Sequence, residues 1–163
     1  MCGVDGETPI RCGIGGDLDF GALAAQVLGV GSAGNLQVGL ADGAPDRVDE
    51  IVEICNAYNI TVIEDAAESI GSFYKEIHTG TFGKIGAFSF NGNKTVTCGG
   101  GGAIVTNDEK IASKIRCLAN YGSVAKYEHI EMGWNSRLDP IQAAVLSVKL
   151  KNLENWNHRR REV

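Results

Sequence analysis

The sequence predicts an α/β domain, a parallel-rich mixed sheet flanked by helices. Three observations carry this. An amphipathic stretch beginning at Asp46 runs into the apolar segment Ile60-Thr61-Val62-Ile63, the helix-to-strand step from which parallel sheets are built. Two more short β-rich runs follow, Ala87-Phe88-Ser89-Phe90 and Ala103-Ile104-Val105-Thr106, and the second leads into another helical pattern. The chain of 163 residues is long enough for one domain with a core of its own.

The elements are justified in chain order. Residues 1–45 are rich in Gly, contain no Lys and have Arg11 as their single Arg. Their periodicity is weak, apart from an apolar patch from Phe20 to Leu28 compatible with one short helix. Asp46 is placed to cap a helix whose apolar positions are Val48, Ile51, Val52, Cys55 and Tyr58. Ile60 to Ile63 reads as a buried strand ending towards Glu64 and Asp65. Ser69 to Lys84 is polar and punctuated by Gly, a loop or short hairpin. After the strands at 87–90 and 103–106, Asp108 caps a helix to about Leu118, with Ile111, Ile115 and Leu118 on one side. Asn120 to Trp134 reads as a loop. A last helix from about Leu138 to Trp156 carries Ile141, Val145, Val148 and Leu153 at helical spacing. It ends in His158-Arg159-Arg160-Arg161, a cationic helix end that suits the helix dipole.

Composition excludes several classes. A formal net charge of −5 argues against nucleic acid or an anionic membrane surface as partner, since both select a basic face. No apolar stretch approaches the roughly 20 residues needed to span a bilayer, and the start has no Lys/Arg-led signal segment. Cys2, Cys12, Cys55, Cys98 and Cys117 are scattered, with no CxxC pair and no metal-like spacing. They read as reduced thiols of a cytoplasmic protein that uses no metal. Cys98 lies near Lys94 but has no base partner in the sequence pattern.

The chemistry gathers around Lys94. It sits in Phe88-Ser89-Phe90-Asn91-Gly92-Asn93-Lys94, just ahead of the run Gly99-Gly100-Gly101-Gly102. An amine on a tight turn can form a Schiff base with an aldehyde cofactor. Asp65 closes its strand at the edge where open α/β sheets bind ligands. A buried carboxylate there calls for a cation, and a protonated pyridine nitrogen would serve. Taken alone, Asp65 is more simply a turn cap, and Glu68, three residues on, faces either the same ligand or solvent. Ser89 offers a hydroxyl to a phosphate or to backbone. Asn91, Gly92 and Asn93 allow a sharp turn. The glycine run precedes a strand, whereas phosphate loops precede a helix, so a nucleotide-binding reading of it is weak.

The segments Ile63-Glu64-Asp65-Ala66-Ala67-Glu68-Ser69, Thr79-Gly80-Thr81-Phe82-Gly83, Phe88-Ser89-Phe90-Asn91-Gly92-Asn93-Lys94 and Gly101-Gly102-Ala103-Ile104-Val105-Thr106-Asn107-Asp108 keep a fixed order and spacing. With Gly133-Trp134-Asn135-Ser136-Arg137-Leu138-Asp139-Pro140-Ile141-Gln142-Ala143-Ala144, they resemble the DegT/DnrJ/EryC1/StrS family. Its members are pyridoxal-phosphate-dependent nucleotide-sugar aminotransferases of fold type I. The resemblance covers roughly Asp46 to the C-terminus.

That resemblance implies roles. Lys94 would hold pyridoxal 5'-phosphate as a Schiff base and act as the catalytic acid/base. Asp65 would pair with the pyridine nitrogen, Glu68 would sit at the cofactor ring, and Ser89 would bind the phosphate. Asn135 would reach the phosphate of a neighbouring subunit's cofactor in a homodimer, and Arg137 would lie on the substrate side. The reaction would transfer an amino group, from glutamate, to a keto group of a nucleotide-linked deoxy sugar of a surface-polysaccharide pathway. Lys94 also separates this chain from the family's sugar dehydratases, which carry His there. Family enzymes are more than twice as long. Residues 1–45 therefore read as an atypical segment not native to the family, and 46–163 as part of the large domain, with the small C-terminal domain missing. The alternative function is a truncated remnant that binds the cofactor or a full-length partner without turnover.

Overall fold

The computed structural model describes residues 26–30, 35–39 and 48–163. Its centre is a five-stranded sheet made of β1 (Gln26–Val30), β2 (Asn35–Gly39), β3 (Thr61–Asp65), β6 (Ile85–Ser89) and β7 (Gly102–Val105), side by side in that order. β2 pairs with β3, and β3 with β6, in parallel; β1 and β7 run antiparallel to their neighbours. The sheet is mixed and the class α/β, as the sequence predicts. Helix α1 (Val48–Ala57) connects β2 to the adjacent parallel β3, a βαβ unit.

Period-two burial sets the strand faces. In β3, Val62 and Glu64 are buried while Ile63 and Asp65 are only partly so. Val62 packs with Val48 and Cys55 of α1, joined by Ile51, Val52, Ile60, Tyr74 and Phe82. Val48 is completely buried, and fully burying such a side chain contributes about 2 kcal/mol. A second cluster joins Phe90 and Val96 to Leu146, with Leu138, Leu153 and Trp156 around them. It fastens the lysine-bearing loop to the C-terminal helices.

Several elements differ from the sequence reading. Residues 20–25 and Asp46 lie outside the described residues. Gln26 to Leu28 belong to β1 and not to a helix, because ladder pairing with β2 outweighs a short apolar patch. Helix α1 ends before Tyr58, and Asn59 at φ 55° turns the chain into β3. The 69–84 segment agrees with the reading of a loop or short hairpin: it contains a hairpin, β4 (Phe73–Tyr74) and β5 (Ile77–His78). The 120–134 segment, read as a loop, contains another, β8 (Ser123–Ala125) with β9 (Glu128–His129). Asp108 caps α2 (Glu109–Ala119) as expected, accepting from the backbone N–H of Lys110 and Ile111. The last helix is two: α3 (Pro140–Lys149), a tighter turn at Leu150–Asn152, and α4 (Leu153–Arg161). Ile141 and Val148 are exposed, and Leu146 is the buried residue of α3.

Candidate functional site

The C-terminal ends of β3 and β6 lie side by side, with Asp65 opposite Ala87 in the ladder. Beyond Asp65 the chain turns at once. The Ala66 N–H donates to the Ala87 carbonyl at 2.9 Å, and the Ser69 N–H to the Ala66 carbonyl at 3.1 Å. The Ala67 N–H donates to Asp65 Oδ1 at 3.1 Å. Asp65 Oδ2 is buried and has no hydrogen-bond partner among the described residues. Leaving such an acceptor unmatched costs roughly 1–3 kcal/mol, so Asp65 Oδ2 is open to a donor that the described residues do not supply. Burial pushes the Asp65 carboxyl above its ordinary range; the Ala67 N–H and the Lys94 charge oppose this, and the Glu68 charge adds to it.

Lys94 reaches the same turn from β6. Its Nζ donates to Glu68 Oε1 in a direct ion pair. The lysine side chain is 10% exposed and that of Glu68 53%, so the amine is largely withdrawn from water. The turn that presents it is locally determined. The Lys94 N–H donates to the Asn91 carbonyl at 3.1 Å, and the Gly92 N–H to Asn91 Oδ1 at 2.8 Å. The Asn91 N–H donates to Ser89 Oγ at 3.3 Å. Acting there as acceptor, the hydroxyl keeps its own O–H for a further partner.

The glycine run has a packing role. Gly101 has φ +107°, and a Cβ there would lie 2.7 Å from Leu138 Cδ1. The Phe90 N–H donates to the Gly101 carbonyl at 2.9 Å, and Gln142 Nε2 to the Gly100 carbonyl at 3.1 Å. The run therefore lets the start of α3 approach the end of β6. Cys98 Sγ donates to the Gly100 carbonyl at 2.8 Å, a structural contact.

Asp65, Glu68, Ser89 and Lys94 thus gather at one sheet edge. Asn135 and Arg137 do not join them among the described contacts. Arg137 Nε donates to Asn135 Oδ1 at 3.1 Å, its guanidinium lies 5.4 Å from the Tyr121 ring centre, and Asn135 bridges to Asn120 at the end of α2. A cavity of about 300 Å³ lined by Val52, Asn56, Ile60, Phe82 and Lys84 contains none of these residues. Among the described residues, no group of three or more His, Cys, Asp and Glu could hold a metal ion, and no helix is long and apolar enough to cross a membrane.

One residue escaped the sequence reading. Glu64 is fully buried, and its carboxyl accepts from the Gly80 N–H at 2.7 Å and the Gly83 N–H at 2.5 Å. The signal was available: a charged residue in an apolar strand, next to one that faces the opposite way, needs a dedicated partner.

Comparison with known proteins agrees with this geometry. The sequence matches the DegT/DnrJ/EryC1/StrS aminotransferase family over residues 36–163, starting ten residues before Asp46. It is 43% identical over 119 residues to dTDP-3-amino-3,4,6-trideoxy-alpha-D-glucose transaminase of Streptomyces venezuelae, covering 72% of this chain and 31% of that one. The fold superposes on S. venezuelae DesV in complex with ketimine intermediate, with a TM-score of 0.75 and 41% identity, over 78% of this chain and 35% of DesV. It also superposes on an E. coli GDP-4-keto-6-deoxy-D-mannose-3-dehydratase with bound hydrated PLP, with a TM-score of 0.71 and 27% identity, over 78% and 38% of the two chains. The chain spans about a third of the length of the curated relatives it matches. With a family match over most of its length, on a sheet edge that brings Asp65 and Lys94 to one turn, this chain belongs to the DegT/DnrJ/EryC1/StrS aminotransferase family.

Proposed function

We propose that this chain carries the cofactor-holding core of a pyridoxal-phosphate-dependent nucleotide-sugar aminotransferase. The observation that carries the reading is the unpartnered, buried Asp65 Oδ2 beside the withdrawn Lys94 amine. A protonated pyridine nitrogen fits that acceptor in charge and in hydrogen bonding, and a cation there stabilises the ionised carboxylate against its burial. Bound at this edge, pyridoxal phosphate would supply the electron sink for moving an amino group.

The chain's own residues do the rest. Lys94 Nζ would hold the cofactor and would move a proton at the substrate carbon. Glu68 orients that amine from the mouth of the site. Ser89 donates its O–H to the phosphate. Asn135 and Arg137 have their described contacts with each other, Asn120 and Tyr121, and we assign them to a neighbouring subunit's site in a homodimer, Asn135 at the phosphate and Arg137 at the substrate. The amino donor is glutamate and the acceptor a nucleotide-linked deoxy keto sugar, in the cytoplasm. Lys94 favours amino transfer over dehydration, although the fold is shared with a dehydratase.

The test is the visible spectrum of the chain with excess pyridoxal phosphate, before and after borohydride, beside Lys94→Ala. A yellow species that borohydride fixes on the Lys94 peptide, absent from the variant, is the expected result. Identical spectra for the two proteins would sink the reading. Turnover with keto sugars and glutamate then separates an active core from one that only binds cofactor; Lys94→Ala is expected to lower any such rate roughly a thousandfold or more.

A further inference from the structure

We propose that Glu64 is a positioning residue for Asp65, acting through the Thr79–Gly83 loop that it clamps beneath the Ala66–Ser69 turn. Its functional meaning rests on the cofactor reading above; its structural content does not.

The two acids are neighbours on β3 and face opposite ways. Glu64 has no water contact and uses both carboxyl oxygens to hold the N–H groups of Gly80 and Gly83. The loop so held is pressed against the turn that follows Asp65. Thr79 is fully buried, and its Oγ1 donates to the Ser69 carbonyl at 2.8 Å. Its N–H donates to the Ser72 carbonyl at 3.0 Å. Gly80, at φ +87°, lies so close to the turn that a Cβ there would be 3.1 Å from Ala66 Cβ and 2.5 Å from Phe88 Cζ. Ala66 is itself fully buried.

The contacts form a closed chain. Asp65 Oδ1 is fixed by the Ala67 N–H. Ala67 belongs to the turn, the turn rests on Thr79 and Gly80, and these are tied to Glu64, one residue before Asp65. The turn is also tied by the Ala66 N–H to the Ala87 carbonyl and by Glu68 to Lys94, and the Thr79–Gly83 loop adds the packing against Ala66 that keeps water from Asp65 Oδ2. A buried carboxyl offering two acceptors to two backbone donors is rigid and strong, which suits a part whose job is to hold another acid in an unsolvated pose.

Carbon-13 NMR titration of the Asp65 carboxyl in the cofactor-free chain tests this, for the wild type, Glu64→Gln and Thr79→Val. Glu64→Gln keeps the shape but offers one acceptor fewer; Thr79→Val leaves Glu64 intact and removes the bond to Ser69. In both, the Asp65 midpoint is expected to fall towards the ordinary aspartate range as water enters. An Asp65 midpoint unchanged in either folded variant overturns the proposal. If Glu64→Gln does not fold, Thr79→Val decides, since it breaks the same chain at another link. Because no cofactor is present, failure of the cofactor reading leaves this outcome unaffected. With cofactor, the variants are expected to shift the pH dependence of the visible band, whereas a staple serving only the fold would move the melting point alone.

Discussion

Asp65 is held in a state that favours its neutral form, and the sign of the consequence can be worked out. Its folded pKa lies above the unfolded one, chiefly through burial. Such a group adds stability below the unfolded pKa, and that contribution is lost as pH rises through the folded pKa. The cofactor-free chain should therefore lose stability through this residue as pH rises above the ordinary aspartate range. Asp65→Asn should flatten that part of the profile and raise the urea midpoint at neutral pH, while abolishing retention of pyridoxal phosphate. A variant no more stable than the wild type at neutral pH would contradict this. The positions of Asp65 and Lys94 were legible in the sequence because an apolar run shows where its strand ends, and residues just past strand ends meet at one edge. Glu64 was not legible in role, since its partners lie 16 and 19 residues away and only folding brings them there.

At the scale of elements, β6 meets a constraint that no propensity reveals. A Cβ on Gly86 would lie 1.9 Å from the Gly80 carbonyl oxygen, so the loop that Glu64 holds crosses directly over the strand. Gly86→Ala must push backbone against backbone. It is expected to destabilise the chain by about 3 kcal/mol, read as a lower urea midpoint with an unchanged slope. A change below about 1 kcal/mol would show that the loop can move aside. Strands β3, β6 and β7 could be read from their apolar runs, with boundaries shifted by a residue or two. β1 and β2 could not, because a Gly-rich segment shows little periodicity and gains its strands from pairing, β2 with β3 and β1 with β2. On α3 the spacing of Ile141, Val145 and Val148 was read correctly as helical. A stripe reports periodicity but not what covers it, and the buried contact falls to Leu146.

Over the whole molecule, apolar side chains remain on the outside of the C-terminal half. Tyr127, Met132 and Ile141 are each more than 80% exposed, and Trp134 and Val148 more than half. Surface of this kind marks contact with another chain or a liability to aggregate. Sedimentation velocity should show the chain associating as its concentration rises, and Ile141→Glu with Val148→Lys should reduce that association without lowering the melting point. Equal sedimentation of both proteins would mean that α3 is not part of the contact.

The loop carrying Lys94 is pinned by residues made much later. Lys149 Nζ donates to the Thr97 carbonyl and Gln142 to Gly100, across separations of 52 and 42 residues, and Arg160 reaches Thr95 across 65. A chain emerging from the ribosome can pair β3 with β6 before any of these anchors exists. Its lysine turn would gain these anchors only once α3 and α4 have been made. If Lys94 holds an aldehyde as proposed, the order of synthesis would delay that meeting until the surrounding walls are in place.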